Sequence, residues 1–146
     1  LYTEDFCALV GEPHYREYFM EPDAAVLSCM DATLYHVHSA GEHCIPAILD
    51  TPGVTALELS NDPNGPDLDF HLATARSVQQ AGHPLQLSNW QKPLTREQMA
   101  RFVSELDPRG LIIRFDADSI EESQELTAWL KDLSRERIAE LEGPSL

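Results

Sequence analysis

The stretch VTALELSNDPNGPDLDFHLATARSVQQAGHPLQLSN (residues 54–89) is the clearest sign of how this chain folds. Its beginning, 54–60, is rich in residues that favour strands, and its end, PLQLSN (84–89), is a second run of the same kind. Between them, residues 67–82 have the spacing of a helix and stop at Gly82, which suits the left-handed backbone that ends many helices. A strand, a helix and a strand in this order predict a βαβ unit with parallel strands.

The same alternation extends in both directions from this unit. Each predicted strand is followed by a helix candidate, and the last two helices begin at capping boxes, Thr95 with Gln98 and Ser119 with Glu122. The alternation predicts the α/β class, and the short, even spacing of the units favours a barrel-type arrangement over a doubly wound sheet. The four predicted strands are TLYHVHS (33–39), VTALELS (54–60), PLQLSN (84–89) and GLIIRFDA (110–117).

The segment before the first predicted strand is different in character. Residues 1–32 are predicted as a helical lead-in, which Pro22 divides in two, and residues 33–146 as four βα units of a single domain. Four units are half of an eight-stranded, TIM-type barrel. Because an open parallel sheet leaves two edges and one face uncovered, we expect a missing half-barrel upstream, or a second copy, to complete it.

The charge balance limits the classes of partner. The chain has 146 residues with 25 acidic and 10 basic side chains, and its net charge of −15 opposes binding to nucleic acid or to an anionic membrane surface. The first residues, LYTEDFCALV, do not have the pattern of a signal peptide, and Cys7, Cys29 and Cys44 lack the spacing of a disulfide framework. We therefore expect a cytoplasmic protein that acts on a small-molecule substrate.

Two histidines in the first predicted strand are candidate metal ligands. Alternate side chains of a strand share a face, so His36 and His38 point the same way and are able to hold one divalent ion such as Zn²⁺. A carboxylate would complete the site, and the candidates are Glu58 and Asp116, near the ends of the second and fourth strands. Alternatively, the two histidines line a polar pocket and bind substrate by hydrogen bonds.

Other polar residues near the strand ends are candidates for substrate binding or catalysis. Glu58 interrupts an apolar strand, and a buried carboxylate is costly unless it is paired, bound to a ligand or protonated. Arg114 either pairs with Asp116, which shares its face of the strand, or receives a carboxylate or sulfonate of the substrate. Asn89 and Trp90 close the third strand with an amide and a ring that are able to line a pocket.

His43 and Cys44 follow the first strand at the start of the short helix candidate. A helix start favours a thiolate, which makes a catalytic Cys44 conceivable. No base is paired with it in the sequence, however. We therefore favour a small buried Cys44 and a surface His43.

The order of these segments is similar to the C-terminal half of the uroporphyrinogen decarboxylase-like superfamily, which includes the corrinoid-linked methyltransferases. The resemblance implies a (β/α)8 barrel whose N-terminal half is absent here, with an active site at the C-terminal mouth of the strands. It also implies one of two activities: decarboxylation of a porphyrinogen without a cofactor, or methyl transfer between a corrinoid and a thiol bound to zinc. The similar segments are residues 4–27, 33–41, 45–59, 81–89 and 106–123.

The departures from the family patterns favour the second activity. The Asn-Leu-Gly-His-Gly stretch near the C-terminus of the decarboxylases is absent. In the zinc methyltransferases, His36 corresponds to the first ligand, His38 stands in place of a cysteine, and the third ligand falls at residues 116–118. The resemblance thus implies a metal-assisted methyltransferase with zinc on His36, His38 and a carboxylate, and with a corrinoid as methyl donor.

Two alternatives to this methyltransferase remain. A metal-free decarboxylase or other lyase would require a raised pKa at Glu58 or Asp116. A non-catalytic module would carry its histidines incidentally and would assemble with a partner that completes the sheet. As half of a barrel, the chain is expected to be inactive alone, because loops of both halves build the mouth.

Overall fold

A computed structural model of the chain describes residues 1–3, 5–63, 65–90 and 93–143. The strands are β1 (Tyr2–Thr3), β2 (Leu34–His38), β3 (Ala56–Asn61), β4 (Leu85–Asn89) and β5 (Leu111–Ile113). The α-helices are α1 (Glu12–Tyr18), α2 (Met20–Leu27), α3 (Ile45–Leu49), α4 (Leu68–Gln80), α5 (Arg96–Glu105) and α6 (Ile120–Glu142). Short 3-10 helices span Asp5–Ala8 and Ser39–Cys44.

The five strands form one parallel sheet whose spatial order is the order of the chain, β1-β2-β3-β4-β5. The α/β class predicted from the sequence is therefore confirmed. When each strand adds to the same side of its predecessor, right-handed crossovers place all the connecting helices on one face. The sheet thus has a helix-covered face and a second face that carries no crossover.

Alternation along the strands separates the two faces by chemistry. One set of alternate side chains is buried against the helices: Tyr35, Val37, Leu57, Leu59, Leu85 and Leu87. The other defines what we term the open face: Thr3, Leu34, His36, His38, Ala56, Glu58, Ser60, Gln86, Ser88 and Ile112. Ile112 is 57% exposed there, although it is a large apolar residue in a strand. In the part of the chain that the structure describes, the buried apolar side chains of the strands accordingly face the helices.

The lead-in segment contributes a strand that the sequence did not reveal. Tyr2 and Thr3 pair with Tyr35 and His36 of β2, which makes five strands instead of four. Two residues are too few to show a strand period, so this pairing depends on a partner distant in the chain. The helical part is divided as expected, but the break lies at Phe19 and Pro22 occupies the first turn of α2, where no helical N–H is lost.

Both predicted helix starts are present. The hydroxyl of Thr95 accepts from the N–H of Gln98 at 3.2 Å, and the Gln98 side chain accepts from the N–H of Thr95 at 2.9 Å. Ser119 accepts from the N–H of Glu122 at 3.0 Å, whereas the Glu122 carboxylate accepts from the N–H of Asp118, one residue before the cap. No helix within the described ranges is long and apolar enough to cross a membrane.

A buried carboxylate ties the lead-in segment to the sheet. Asp23 of α2 is 2% exposed. It accepts hydroxyl hydrogen bonds from Tyr2 of β1 and Tyr15 of α1, both at 2.6 Å, and from Tyr35 of β2 at 2.7 Å. Burial, together with the neighbouring Asp23, raises the pKa of Tyr15 and Tyr35, so both remain hydroxyl donors at neutral pH. One side chain thus joins four elements through charge-assisted bonds.

We predict that Asp23→Ala lowers the free energy of unfolding by about 3 kcal/mol or more, because three buried hydroxyls lose their acceptor. Urea unfolding followed by circular dichroism measures this change. The matched control is Asp31→Ala, at an exposed turn position, which should stay within about 0.5 kcal/mol of the wild type. A loss below about 1 kcal/mol in the Asp23 variant would contradict the tethering role.

Candidate functional site

Polar side chains cross the open face in two adjacent rows. Parallel register aligns His36 with Glu58 and Gln86 in the first row. His38, Ser60 and Ser88 form the second row, one step nearer the C-terminal ends of the strands. The predicted orientation of the two histidines toward one face is therefore confirmed, and that face is the one opposite the buried leucines of the strands.

Glu58 is the centre of this arrangement. Its carboxylate accepts from His36 Nδ1 at 3.0 Å, from the Ser88 hydroxyl at 2.6 Å and from the Gln86 amide at 2.8 Å. The residue is 5% exposed. Burial alone would raise its pKa, but the hydrogen bonds from Ser88, His36 and Gln86 outweigh burial and the pKa of Glu58 lies below its ordinary value.

The lowered pKa corrects one expectation about Glu58. A metal-free lyase with Glu58 as its acid would need this carboxyl group protonated at neutral pH. The three donors hold it ionised instead, so Glu58 is able to orient a neighbour and stabilise a positive charge but is not a proton donor. One of its oxygens accepts from His36, and the other accepts from Ser88 and Gln86.

His36 is held by one ring nitrogen and available at the other. Since an ionised carboxylate only accepts, Nδ1 carries the proton that is donated to Glu58. Within the described part of the chain, Nε2 of His36 has no hydrogen-bond partner and is not among the fully buried polar atoms. The side chain is 13% exposed. Nε2 is therefore the atom through which His36 would meet a substrate.

His38 has carboxylates at both ring nitrogens. Nδ1 lies 2.9 Å from Asp62, just after β3, and Nε2 lies 3.3 Å from Asp5. Asp62 also accepts from the backbone N–H and the hydroxyl of Ser39, both at 3.1 Å. Burial raises the pKa of Asp62, but the bonds from His38 and Ser39 prevail and hold it below the ordinary value. The rings of His36 and His38 meet edge to face, with centroids 4.6 Å apart.

Neither carboxylate predicted as the third metal ligand is placed to join the two histidines in one site. Glu58 bonds the Nδ1 atom of His36, as an orienting carboxylate does, and Asp116 is exposed with no bond to either imidazole. Two strands, β3 and β4, separate β2 from β5, which ends before Asp116. No group of three or more His, Cys, Asp and Glu side chains in the described ranges is placed to hold a metal ion.

Arg114 does not pair with Asp116. Its guanidinium lies over the ring of Trp90, 4.0 Å from the ring centre. Trp90 is half exposed. Asn89, the third predicted substrate-binding residue, belongs to the alternation that faces the helices, and it lines a small enclosed cavity there with His71. Of these three residues, Arg114 and Trp90 are therefore the ones brought together.

The sequence analysis missed several partners of the site. Gln86 and Ser88 hold Glu58, and Asp62 holds His38. The alternation of Leu85, Gln86, Leu87 and Ser88 was a usable signal, since it predicts two polar side chains on one face of β4. Asp62 had no comparable signal because it lies in a connection beyond the strand.

A second buried pair lies away from this site, among the helices. His71 Nδ1 on α4 is 3.0 Å from the carboxylate of Glu42, and both side chains are 2% exposed. Cys44 is fully buried with its thiol near the backbone of Cys7, and burial raises the pKa of that thiol. His43 is exposed. The interpretation of Cys44 as a small buried residue is confirmed.

Comparison with family models, curated proteins and solved structures finds no match for this chain. The resemblance to the uroporphyrinogen decarboxylase-like superfamily therefore rests on the sequence segments quoted above. What the site does must be argued from its geometry.

We predict that Glu58→Gln lowers the free energy of unfolding at pH 7 by about 1–3 kcal/mol, because an amide cannot accept from all three donors. The folded pKa of Glu58 is depressed, so its contribution is present above the ordinary carboxyl value, about 4.3, and is lost as the pH falls through the folded value. Chemical unfolding at several pH values should show the gap between wild type and variant narrowing below about pH 4.

Glu17→Gln is the matched control, since Glu17 is exposed on α1. Its free energy of unfolding should follow the wild type at every pH. A gap for Glu58→Gln that widened on acidification would contradict the assigned ionisation of Glu58.

Proposed function

We propose that the open face is the active-site wall of an enzyme of the uroporphyrinogen decarboxylase-like kind. In this proposal the chain supplies five strands of a (β/α)8 barrel, rather than four, and further strands close the sheet over the polar rows. The sequential parallel order of the strands supports the proposal, as does the placement of polar residues on the face without crossovers. A barrel interior at the C-terminal ends of the strands is where such folds carry out chemistry.

The reaction that the geometry favours is metal-free proton transfer by His36, in a decarboxylase or related lyase. The observation that carries this assignment is the bond from His36 Nδ1 to the ionised Glu58, which leaves Nε2 free to exchange a proton. A carboxylate held against the open face would lose CO₂ when its C–C bond breaks, and the electron pair would remain on carbon. Nε2 of the protonated imidazole then gives its proton to that carbon, and the ring regains one from solvent.

Glu58 would serve His36 in two ways during this cycle. It fixes the ring orientation, and its negative charge stabilises the imidazolium form that donates the proton. Ser88 and Gln86 keep the carboxylate itself in place by bonding its other oxygen. Glu58 is thus a positioning residue in this proposal, and His36 is the catalytic residue.

The test uses this chain assembled with the strands that, in the proposal, close the sheet into a barrel. Release of CO₂ from a panel of di- and tricarboxylic acids would be measured for wild type, His36→Gln and His14→Gln. We expect His36→Gln to lower kcat by about 10²–10⁴-fold, the usual contribution of general acid catalysis. His14 is exposed on α1, so its variant should match the wild type. Activity retained by His36→Gln, or no activity on any acid of the panel, would exclude the proposed reaction.

Metal-assisted methyl transfer is the second candidate. Zinc-binding histidines commonly give their other nitrogen to a carboxylate, and both His36 and His38 do so, with Glu58 and Asp62. The described residues do not by themselves fit a complete zinc site, because no third donor joins the two imidazoles. In this proposal another segment would supply that donor, and a corrinoid would supply the methyl group.

Zinc content separates this candidate from the first. We predict that, if methyl transfer is the function, the assembled protein binds one zinc per chain by elemental analysis and loses it in His36→Ala but not in His14→Ala. Protein free of metal with an active His36 supports the lyase instead. A non-catalytic module is supported if the protein contains no metal and if substitution of His36 changes neither the release of CO₂ nor the zinc content.

A further inference from the structure

Arg114 and Trp90 form a compact unit at the C-terminal end of β4 and β5. The guanidinium carbon of Arg114 lies 4.0 Å from the centre of the Trp90 ring, which is within the range of a cation–π contact. Arg114 continues the alternation of Ile112, so it belongs to the open face. Both Arg114 and Trp90 are exposed.

Arg114 is unusual among the arginines of this acidic chain. The other arginines each have a carboxylate partner: Arg16, Arg76, Arg96, Arg101, Arg109, Arg135 and Arg137. Arg114 has no ion pair within the described part of the chain, although the net charge is −15 and Asp116 lies two residues away. A strong hydrogen-bond donor is thus kept free of the acidic groups that engage every other arginine.

Main-chain hydrogen bonds attach both residues to the sheet. The N–H of Arg114 donates to the carbonyl of Leu87 at 2.9 Å, and the N–H of Trp90 donates to the carbonyl of Asn61 at 2.9 Å. Each residue is therefore anchored to the sheet rather than carried on a free loop. Stacking occupies one face of the guanidinium, while its N–H edges lie in the plane and remain able to bind a carboxylate in bidentate fashion.

We propose that Arg114 and Trp90 form an anion subsite that binds a carboxylate of the substrate other than the one that reacts at His36. Carboxylate binding at Arg114 and Trp90 is independent of the proposed function. Only the statement that a different carboxylate reacts at His36 rests on it. The backbones of β2 and β5 are three strand spacings apart, about 14 Å, so we assign the group bound at Arg114 and the group that reacts at His36 to different ends of the substrate. In this proposal the substrate class is an elongated acid with at least two carboxylates, and its middle would cross β3 and β4 between Arg114 and His36.

Binding of the anchoring carboxylate is measurable without turnover. Benzoate and glutarate would be titrated into the protein at constant ionic strength, with isothermal titration calorimetry for affinity and Trp emission as a second readout. We expect saturable binding to the wild type, with Kd raised at least tenfold by Arg114→Met. Arg114→Lys keeps the charge but not the planar edge, so it should restore only part of the affinity.

The chain offers a matched control. Arg96 also lies over a tryptophan ring, that of Trp129, with 5.2 Å from its guanidinium carbon to the ring centre, but it is already paired with Glu125. Arg96→Met should leave carboxylate binding unchanged. Trp90→Phe should remove the change in emission and weaken binding in calorimetry, since the supporting ring is smaller and less electron-rich.

The outcomes distinguish this subsite from the proposed reaction. Carboxylate binding that Arg114→Met leaves unaltered, or inorganic phosphate that binds more tightly than glutarate, would overturn the subsite. Binding lost with Arg114 while His36→Gln retains activity would uphold the carboxylate subsite and reject only the reaction. Conversely, activity that depends on His36 without any carboxylate binding at Arg114 would reject the subsite and leave the reaction standing.

Discussion

The order of the parallel strands is the constraint on which the other features of this protein depend. Because crossovers between parallel strands are right-handed as a rule and each strand here adds to the same side of its predecessor, the helices collect on one face of the sheet. The apolar alternation of each strand then has a core to enter, and the polar alternation is left on the opposite face. His36, Glu58 and Gln86 become neighbours for this reason, although 50 positions of sequence separate the first from the last.

Two buried carboxylates organise the two sides of the sheet in similar ways. On the helical side, Asp23 is satisfied by three tyrosine hydroxyls and joins the lead-in segment to β2. On the open face, Glu58 is satisfied by an imidazole, a hydroxyl and an amide. In both places a charge that would be costly alone is stabilised by donors from different elements. The difference lies in the donors: Tyr15 and Tyr35 beside Asp23 have pKa values raised by burial and keep their protons at neutral pH, whereas one donor to Glu58 is the imidazole of His36.

Local patterns were sufficient for much of the fold and for one part of the site. The β2, β3 and β4 strands, the start of α5 and the shared face of His36 and His38 all follow from periods and caps within short windows. The β1 strand did not, since Tyr2 and Thr3 are defined as a strand only by their partner. Asp116 was placed near the histidines because it lies near the end of a predicted strand, but the true strand ends at Ile113 and lies at the far edge of the sheet.

The sequence by itself determined the α/β class, the parallel order of alternating elements and the face that the two histidines share, because each is a consequence of residues close together in the chain. Tertiary structure decided what Glu58, Arg114 and Asp116 do. Their roles depend on which side chains arrive from other strands: Ser88 and Gln86 keep Glu58 ionised, Trp90 rather than Asp116 receives Arg114, and no imidazole reaches Asp116. Such contacts arise from strand register and spacing across the sheet, which no short window of sequence contains.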